Sequence, residues 1–149
     1  MAHIEIHPAL PMDAYFFAPR LRSSDVLELQ ATGFEPLRGL TSSYRLSTSC
    51  WSASVDGNIA AMWGCGPRNL VFGEGVVWLL TGPEVESHFV RFLRESLKWK
   101  KEMMRTYSTL RNQIDVRNKL ALRWVEWLGA EFEEDIPVGN THFRPFVMR

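Results

Sequence analysis

The chain has 149 residues, enough for one domain with a self-sufficient core, and its 46% hydrophobic and 12% aromatic content excludes a disordered polymer. Seventeen Lys+Arg balance seventeen Asp+Glu, so nucleic acid is not expected as the main ligand, because that affinity comes mostly from neutralising phosphates. No apolar run approaches the roughly 20 residues that span a bilayer, Met1 to Leu10 lack a signal-peptide pattern, and two cysteines are too few for a disulfide scaffold.

A soluble intracellular domain with free thiols at Cys50 and Cys65 is therefore expected. Ile4 and Ile6 alternate with polar neighbours as a short strand does, and Pro8 and Pro11 end it. Met12 to Ala18 forms a helical turn or two before Pro19. Ser24 caps a second helix with Asp25 in its first turn and Gly33 past its end, and a third runs from Pro36 to about Ser43. Trp51, Ala53 and Val55 alternate with Cys50, Ser52 and Ser54 as a strand. Asp56-Gly57-Asn58 is a tight turn, and Ile59 to Cys65 is the returning strand. Gly64, Gly66 and Pro67 close this hairpin, with Cys50 and Cys65 on one face.

Val76 to Leu80 is apolar at every position and reads as a central strand covered on both faces. Pro83 then opens the longest helix, acidic at its start (Glu84, Glu86) and basic at its end (Lys98, Lys100, Lys101, Arg105). Thr109 to Ile114 is a strand, and Asp115 caps a helix that stops at Gly129. Strands near Glu131 to Ile136 and His142 to Met148 flank a turn at Pro137 to Asn140. The order describes one mixed α/β domain over residues 1–149.

Asn118-x-x-Ala121-x7-Gly129, an Asn opening a helix between two strands, resembles the last conserved block of the GNAT acyltransferase superfamily. The element order resembles that fold along the whole chain. More narrowly, Arg22-x-x-Asp25-x-x-Glu28, the Val77-Trp78-Leu79-Leu80 strand, Leu110-x-Asn112 and Trp124-x-x-Trp127-Leu128-Gly129 are similar to short GNAT-like proteins of tailed bacteriophages. The resemblance implies a GNAT-like α/β domain, with a mixed, mostly antiparallel sheet and helices on both faces. It also implies an acyl-CoA cleft where Val76–Leu80 and Thr109–Ile114 splay apart, with the backbone of Leu80, Thr81 and Gly82 and the side chain of Asn118 as cofactor-binding groups.

Two departures bear on activity. At the family's pyrophosphate loop (Arg or Gln, two residues, Gly, one residue, Gly or Ala) this chain has Thr81-Gly82-Pro83-Glu84-Val85-Glu86. Proline removes an N–H, and the two carboxylates are expected to repel an anion. Seven residues after Asn118, where many relatives place a proton-donating Tyr, stands Val125. Asn118 itself has two readings, a hydrogen bond to a cofactor amide or a local bond in the first turn of its helix.

Other candidates read blandly. His88 is solvated or Glu-paired, and His142, near a turn, has the better claim on a cleft. The His and Cys spacing matches no zinc pattern. The cysteines lack an adjacent base and read as small apolar residues. Trp51, Trp63, Trp78, Trp124 and Trp127 read as core, and the Lys98 to Arg105 cluster as a solvated helix end. The expected function is a non-catalytic phage protein, an internal virion or assembly component in the virion or host cytoplasm, without cofactor or metal. Its partners would be other virion proteins or its own copies, a role implied by the resemblance. The alternative is an N-acetyltransferase that moves an acetyl group from acetyl-CoA to an amine.

Overall fold

The computed structural model describes residues Met1–Arg149. The elements run β1 (Ile4–Pro8), α1 (Asp13–Phe17), a 3-10 turn (Ala18–Arg20), α2 (Ser23–Ala31), α3 (Pro36–Leu46), β2 (Ser49–Val55), β3 (Asn58–Asn69) and β4 (Glu74–Thr81). There follow α4 (Pro83–Ser87), α5 (Phe89–Met103), β5 (Thr109–Asp115), α6 (Lys119–Trp127), β6 (Glu131–Phe132), β7 (Ile136–Val138) and β8 (Thr141–Met148). One sheet has the order β1-β2-β3-β4-β5-β8-β6, with β7 also paired to β8. Every pairing is antiparallel except β4 with β5.

The alternation of the central strands builds a core on each face. Ala61, Trp63 and Cys65 of β3 face α5 and α6, where Phe92, Trp99, Leu122 and Trp124 join them. Met62 of β3 and Leu80 of β4 face the other way, against Ala14, Phe17 and Leu40 of α1 and α3. Helices therefore cover both faces. The parallel pair is the exception that matters for function: it holds only at Glu74/Thr109, Gly75/Leu110 and Val76/Arg111. Beyond this point Asn112 Nδ2 donates to Val77 O at 2.6 Å, and the strands then part toward Thr81 and Asp115.

The β2–β3 turn has positive φ at both Asp56 (50°) and Gly57 (87°), the geometry that matches hairpin twist. Several boundaries differ from expectation. Gly64 and Gly66 do not close the hairpin; they lie inside β3, paired with Cys50 and Val76. A Cβ at Gly64 would stand 2.5 Å from Ser49 O, so glycine is required where β2 and Ser47 press on the strand. The register sets Cys65 opposite Ser49 rather than Cys50, which puts the thiols on opposite faces: Cys65 packs in the α5–α6 core and Cys50 against the α1–α3 core.

The helix expected from Pro83 breaks at His88, whose φ of −123° and ψ of 32° are not helical. The ladder persists across it, with His88 N–H on Glu84 O at 3.0 Å and Phe92 N–H on His88 O at 3.1 Å, so the helix bends without separating. Helix α2 begins one residue before the expected cap, and Ser24 makes no capping bond. Asp115 does not cap α6, because it still belongs to β5 opposite Phe143; Asn118 is the cap, accepting from Ala121 N–H. At the C-terminus Pro137 and Val138 belong to β7, an edge strand that tolerates proline. The turn shrinks to Gly139-Asn140, while Glu133 to Asp135 leave the strands.

Candidate functional site

Helix α2 starts directly beneath the C-terminal end of β4, and its N-cap Arg22 and its residues Asp25 and Glu28 recur every three positions toward the parted strands. Arg22 is fixed first by its backbone, whose N–H donates to Thr81 O at 2.9 Å. Its Nε donates to Thr81 Oγ1 at 2.7 Å, and its Nη2 to Asn118 Oδ1 at 2.8 Å. The guanidinium thus bridges from the end of β4 to the start of α6. Asp25 completes a ring: Oδ2 accepts from Thr81 N–H at 3.0 Å and from Thr81 Oγ1, and Oδ1 accepts from Asn118 Nδ2 at 2.9 Å.

Thr81, Asp25 and Asn118 are at most 2% exposed and Arg22 9%. Such a polar cluster is tolerable only if its donors and acceptors are used, and these are. Burial raises the Asp25 carboxyl above the usual aspartate range, opposed by the Arg22 charge and by the bonds from Thr81 and Asn118. One helical turn on, Glu28 Oε1 accepts from Asp115 N–H at 2.7 Å. Although Glu28 as a residue is only partly buried, enclosure of its carboxyl is the main cause that pushes it up to about 8, aided by the charges of Asp25 and Asp115 and opposed by that backbone bond. Asp115 moves the other way: although burial opposes the shift, bonds from the Arg117 guanidinium and backbone and from Thr141 hold its carboxyl below the usual range.

Below this cluster lies a cavity of about 240 Å³, walled by the parted strands, α2, α5 and α6. Leu80, Trp63, Trp99, Trp124, Val125 and Phe143 are among its lining, and Glu28 is the one carboxyl. Trp63 and Trp99 stack at 3.6 Å between ring centroids, and Trp124 lies 6.3 Å from Trp99.

The expected cofactor-binding residues divide between these two places. Leu80 lines the cavity, whereas Thr81 and Asn118 are tied into the cluster. Asn118 makes the local bond to Ala121 and long-range bonds to Arg22 and Asp25 as well. Gly82 donates its N–H to Ala60 O at 2.7 Å, and a Cβ there would meet Phe17, Ala60 O and Arg20 O at 3.2–3.3 Å. Along the β4–α4 turn, Thr81 N–H is on Asp25, Gly82 N–H on Ala60, and Val85 N–H on Gly82 O, while Pro83 has none. Glu84 N–H alone has no partner.

The expected repulsion from Glu84 and Glu86 needs correction. The Arg20 guanidinium grips both oxygens of Glu84, the longer contact at 2.7 Å, and Arg22 Nη1 lies 3.3 Å from Glu86. Glu84 is neutralised at close range; exposed Glu86 gains little from its pair. These arginines lie 64 residues away in sequence, and no local pattern announced them.

The remaining candidates do not converge. His142 is exposed and outside the cavity lining, contrary to expectation, because β8 starts one residue before it. His88 is half-buried. Burial pushes the Cys50 thiol up to about 12 and Cys65 up to about 11, which disfavours the thiolate. Trp127, expected in the core, is 47% exposed. Lys98 pairs with Glu95 on α5, and Arg105, just past the helix end, with Glu102, while Lys100 bonds Leu128 O. No cluster of metal-ligating side chains is present, and no helix is long and apolar enough to cross a membrane.

No protein-family model matches the chain. Among curated proteins it is similar to "Probable scaffold protein gp13" of Escherichia phage T7, 28% identical over 131 residues, covering 87% of this chain and 86% of that protein. Among solved structures it is similar to a GNAT-family acetyltransferase from Streptococcus pneumoniae (TM-score 0.65, 16% identity, 98% of each chain). It is also similar to spermidine N-acetyltransferase from Vibrio cholerae in complex with CoA and spermine (TM-score 0.67, 12% identity, 97% of this chain and 94% of that one). An aminoglycoside acetyltransferase in complex with coenzyme A matches with a TM-score of 0.68 at 11% identity, over 98% and 94% of the two chains. The chain has the GNAT fold, a single α/β domain on a mixed, mostly antiparallel sheet.

Proposed function

We propose that this chain is a phage-encoded GNAT-fold protein without acetyl-transfer activity, serving as an internal virion or assembly component in the virion or host cytoplasm. One observation carries the reading: Arg22, buried and bonded to both Thr81 and Asn118, spans the gap between β4 and α6. A ligand arm entering there must displace a cation that three side chains hold, and it meets a turn with one spare amide. Diphosphate sites at helix starts rely on several free N–H groups. The residues of this turn do not fit that group. Val125, in the cavity wall, offers no proton to a departing thiolate. The likeness to the T7 protein supports the assembly side of the proposal, with other virion proteins or further copies of the chain as partners.

A second reading, an N-acetyltransferase using acetyl-CoA, has one observation in its favour. Glu28 places a carboxyl of raised pKa on the apolar cavity, the environment that tunes a base toward neutral pH. In that case Leu80, Thr81, Gly82 and Asn118 would hold the thioester. Calorimetric titration with acetyl-CoA and with CoA separates the readings. The proposal expects no heat of binding and no thermal stabilisation. Saturable binding at about 50 μM or tighter would overturn it.

A further inference from the structure

Helix α1 and its flanks carry apolar side chains on both sides. Ala14 and Phe17 are buried with Leu40 of α3 and Met62 of β3. Met12, Tyr15 and Phe16 stand at the i, i+3 and i+4 positions of the opposite face and are 57%, 62% and 66% exposed, with Leu10 before them at 52%. A surface helix ordinarily turns charged or polar groups outward. Here the exposed residues between Ala9 and Arg20 are Leu10, Pro11, Met12, Tyr15, Phe16 and Pro19. The one charged residue of that stretch, Asp13, is 6% exposed. Its Oδ2 accepts from Ser52 Oγ at 2.8 Å and from Leu10 N–H at 2.9 Å, with His7 Nε2 at 3.4 Å. The carboxylate therefore ties α1 to β2 and leaves the outer face without charge.

Area and charge narrow what fits this face. At about 200 Å² for each large side chain, the four exposures add to about 500 Å² of apolar surface, in the upper part of the range found on monomers, where such patches are often functional. Against its own copy the patch would bury about 1,000 Å² in total, the area at which specific interfaces begin. A two-fold contact sets one surface against the same surface, so a charged face repels its copy and a charge-free one does not. The chain's seventeen basic and seventeen acidic residues leave no net charge to hold copies apart. Tyr, Phe and Met are also the residue types enriched where interfaces are fully closed to water.

We propose that the outer face of α1 is the two-fold contact through which two copies of this chain pair, with Tyr15 and Phe16 as its anchors. The inference rests on the assembly reading and names the partner within it, a second copy. Its readout is the mass in solution, whereas that of the non-catalytic reading is coenzyme binding, so either fails without the other. The exposed tip at Leu70 to Phe72 is a separate surface, about 25 Å beyond Met62 along β3.

The test is sedimentation equilibrium of the full chain from about 1 to about 200 μM. The expected result is a reversible rise from monomer to dimer mass with a Kd of about 10 μM, the weak end suited to so small an area. Tyr15→Ser combined with Phe16→Ser is expected to raise the Kd by about tenfold. Met12→Lys, which puts a cation on each copy's face, is expected to do the same. Both variants are expected to keep the wild-type circular dichroism and melting temperature, because the replaced side chains are exposed. A chain that stays monomeric up to about 200 μM would overturn the proposal. So would a dimer whose Kd both variants leave unchanged, including one lost only when Leu70, Val71 and Phe72 are replaced with Ser. A monomer that floats with phosphatidylcholine vesicles through Tyr15 and Phe16 would assign the face to lipid and overturn it as well.

Discussion

Replacing Glu28 by Gln isolates the titration of one enclosed carboxyl. The side chain keeps an oxygen for Asp115 N–H, the bond now made at 2.7 Å, and loses its charge. In the folded protein the Glu28 carboxyl sits at about 8 against an ordinary 4.5. A raised folded value means that the stabilisation is fully present below about pH 4.5 and is lost as the pH rises through 8. The difference of about 3.5 units, at 1.36 kcal/mol each, sets a ceiling of about 5 kcal/mol. Partial access to solvent and relaxation reduce the expected effect to about 2–3 kcal/mol. Urea unfolding at pH 5.5, 7 and 9 reads it, because titrating groups away from Glu28 contribute equally to both proteins and cancel in the difference, leaving Glu28 with its coupled neighbours Asp25 and Asp115. Wild type is expected to lose about 2–3 kcal/mol relative to Glu28→Gln between pH 5.5 and 9. Parallel profiles would refute the claim that Glu28 is held protonated at neutral pH.

The other expectations follow from contacts already described. Arg22→Met leaves Asp25 buried without its counter-ion and should cost about 3–5 kcal/mol in urea unfolding; adding Asp25→Asn should recover a large part, and simple additivity of the two losses would contradict the ring. Gly64→Ala drives a methyl group into Ser49 O and should cost about 2–3 kcal/mol, seen as a lower melting temperature. The β3–β4 loop exposes Leu70, Val71 and Phe72 at 73–87%, so replacing all three with Ser should leave stability within about 0.5 kcal/mol while reducing self-association in light scattering.

Periodicity served the regular elements well. The Asp56-Gly57 turn and the apolar β4 rest on local chemistry, and the structure has them where the pattern put them; the α6 helix is present too, but its cap is Asn118 and not Asp115. Residues pressed by distant chain were misread. Gly64 and Gly66 have the composition of a turn, but they are glycine because Ser49 and Leu46 crowd β3. The cysteine faces depended on a one-residue register, and register inverts faces. The polar ring was half visible: Arg22, Asp25 and Glu28 stand at helical spacing, yet Thr81 and Asn118 lie 59 and 96 residues from Arg22. For the same reason, carboxylates that look repulsive in the local sequence prove to be paired. At the β4–α4 turn Arg20 neutralises Glu84 while Glu86 stays exposed, so the proposed non-catalytic reading rests on the occupied amides and the bridging guanidinium more than on charge.

The most direct test of that bridge is an amide and guanidinium NMR spectrum of the wild-type chain with and without about 1 mM acetyl-CoA, a concentration that would expose even weak binding. The account predicts that the Arg22 Nε, Gly82 and Asn118 signals stay in place. Progressive, saturable movement of those three signals would mean that the guanidinium gives way to the cofactor, and the non-catalytic reading would fail.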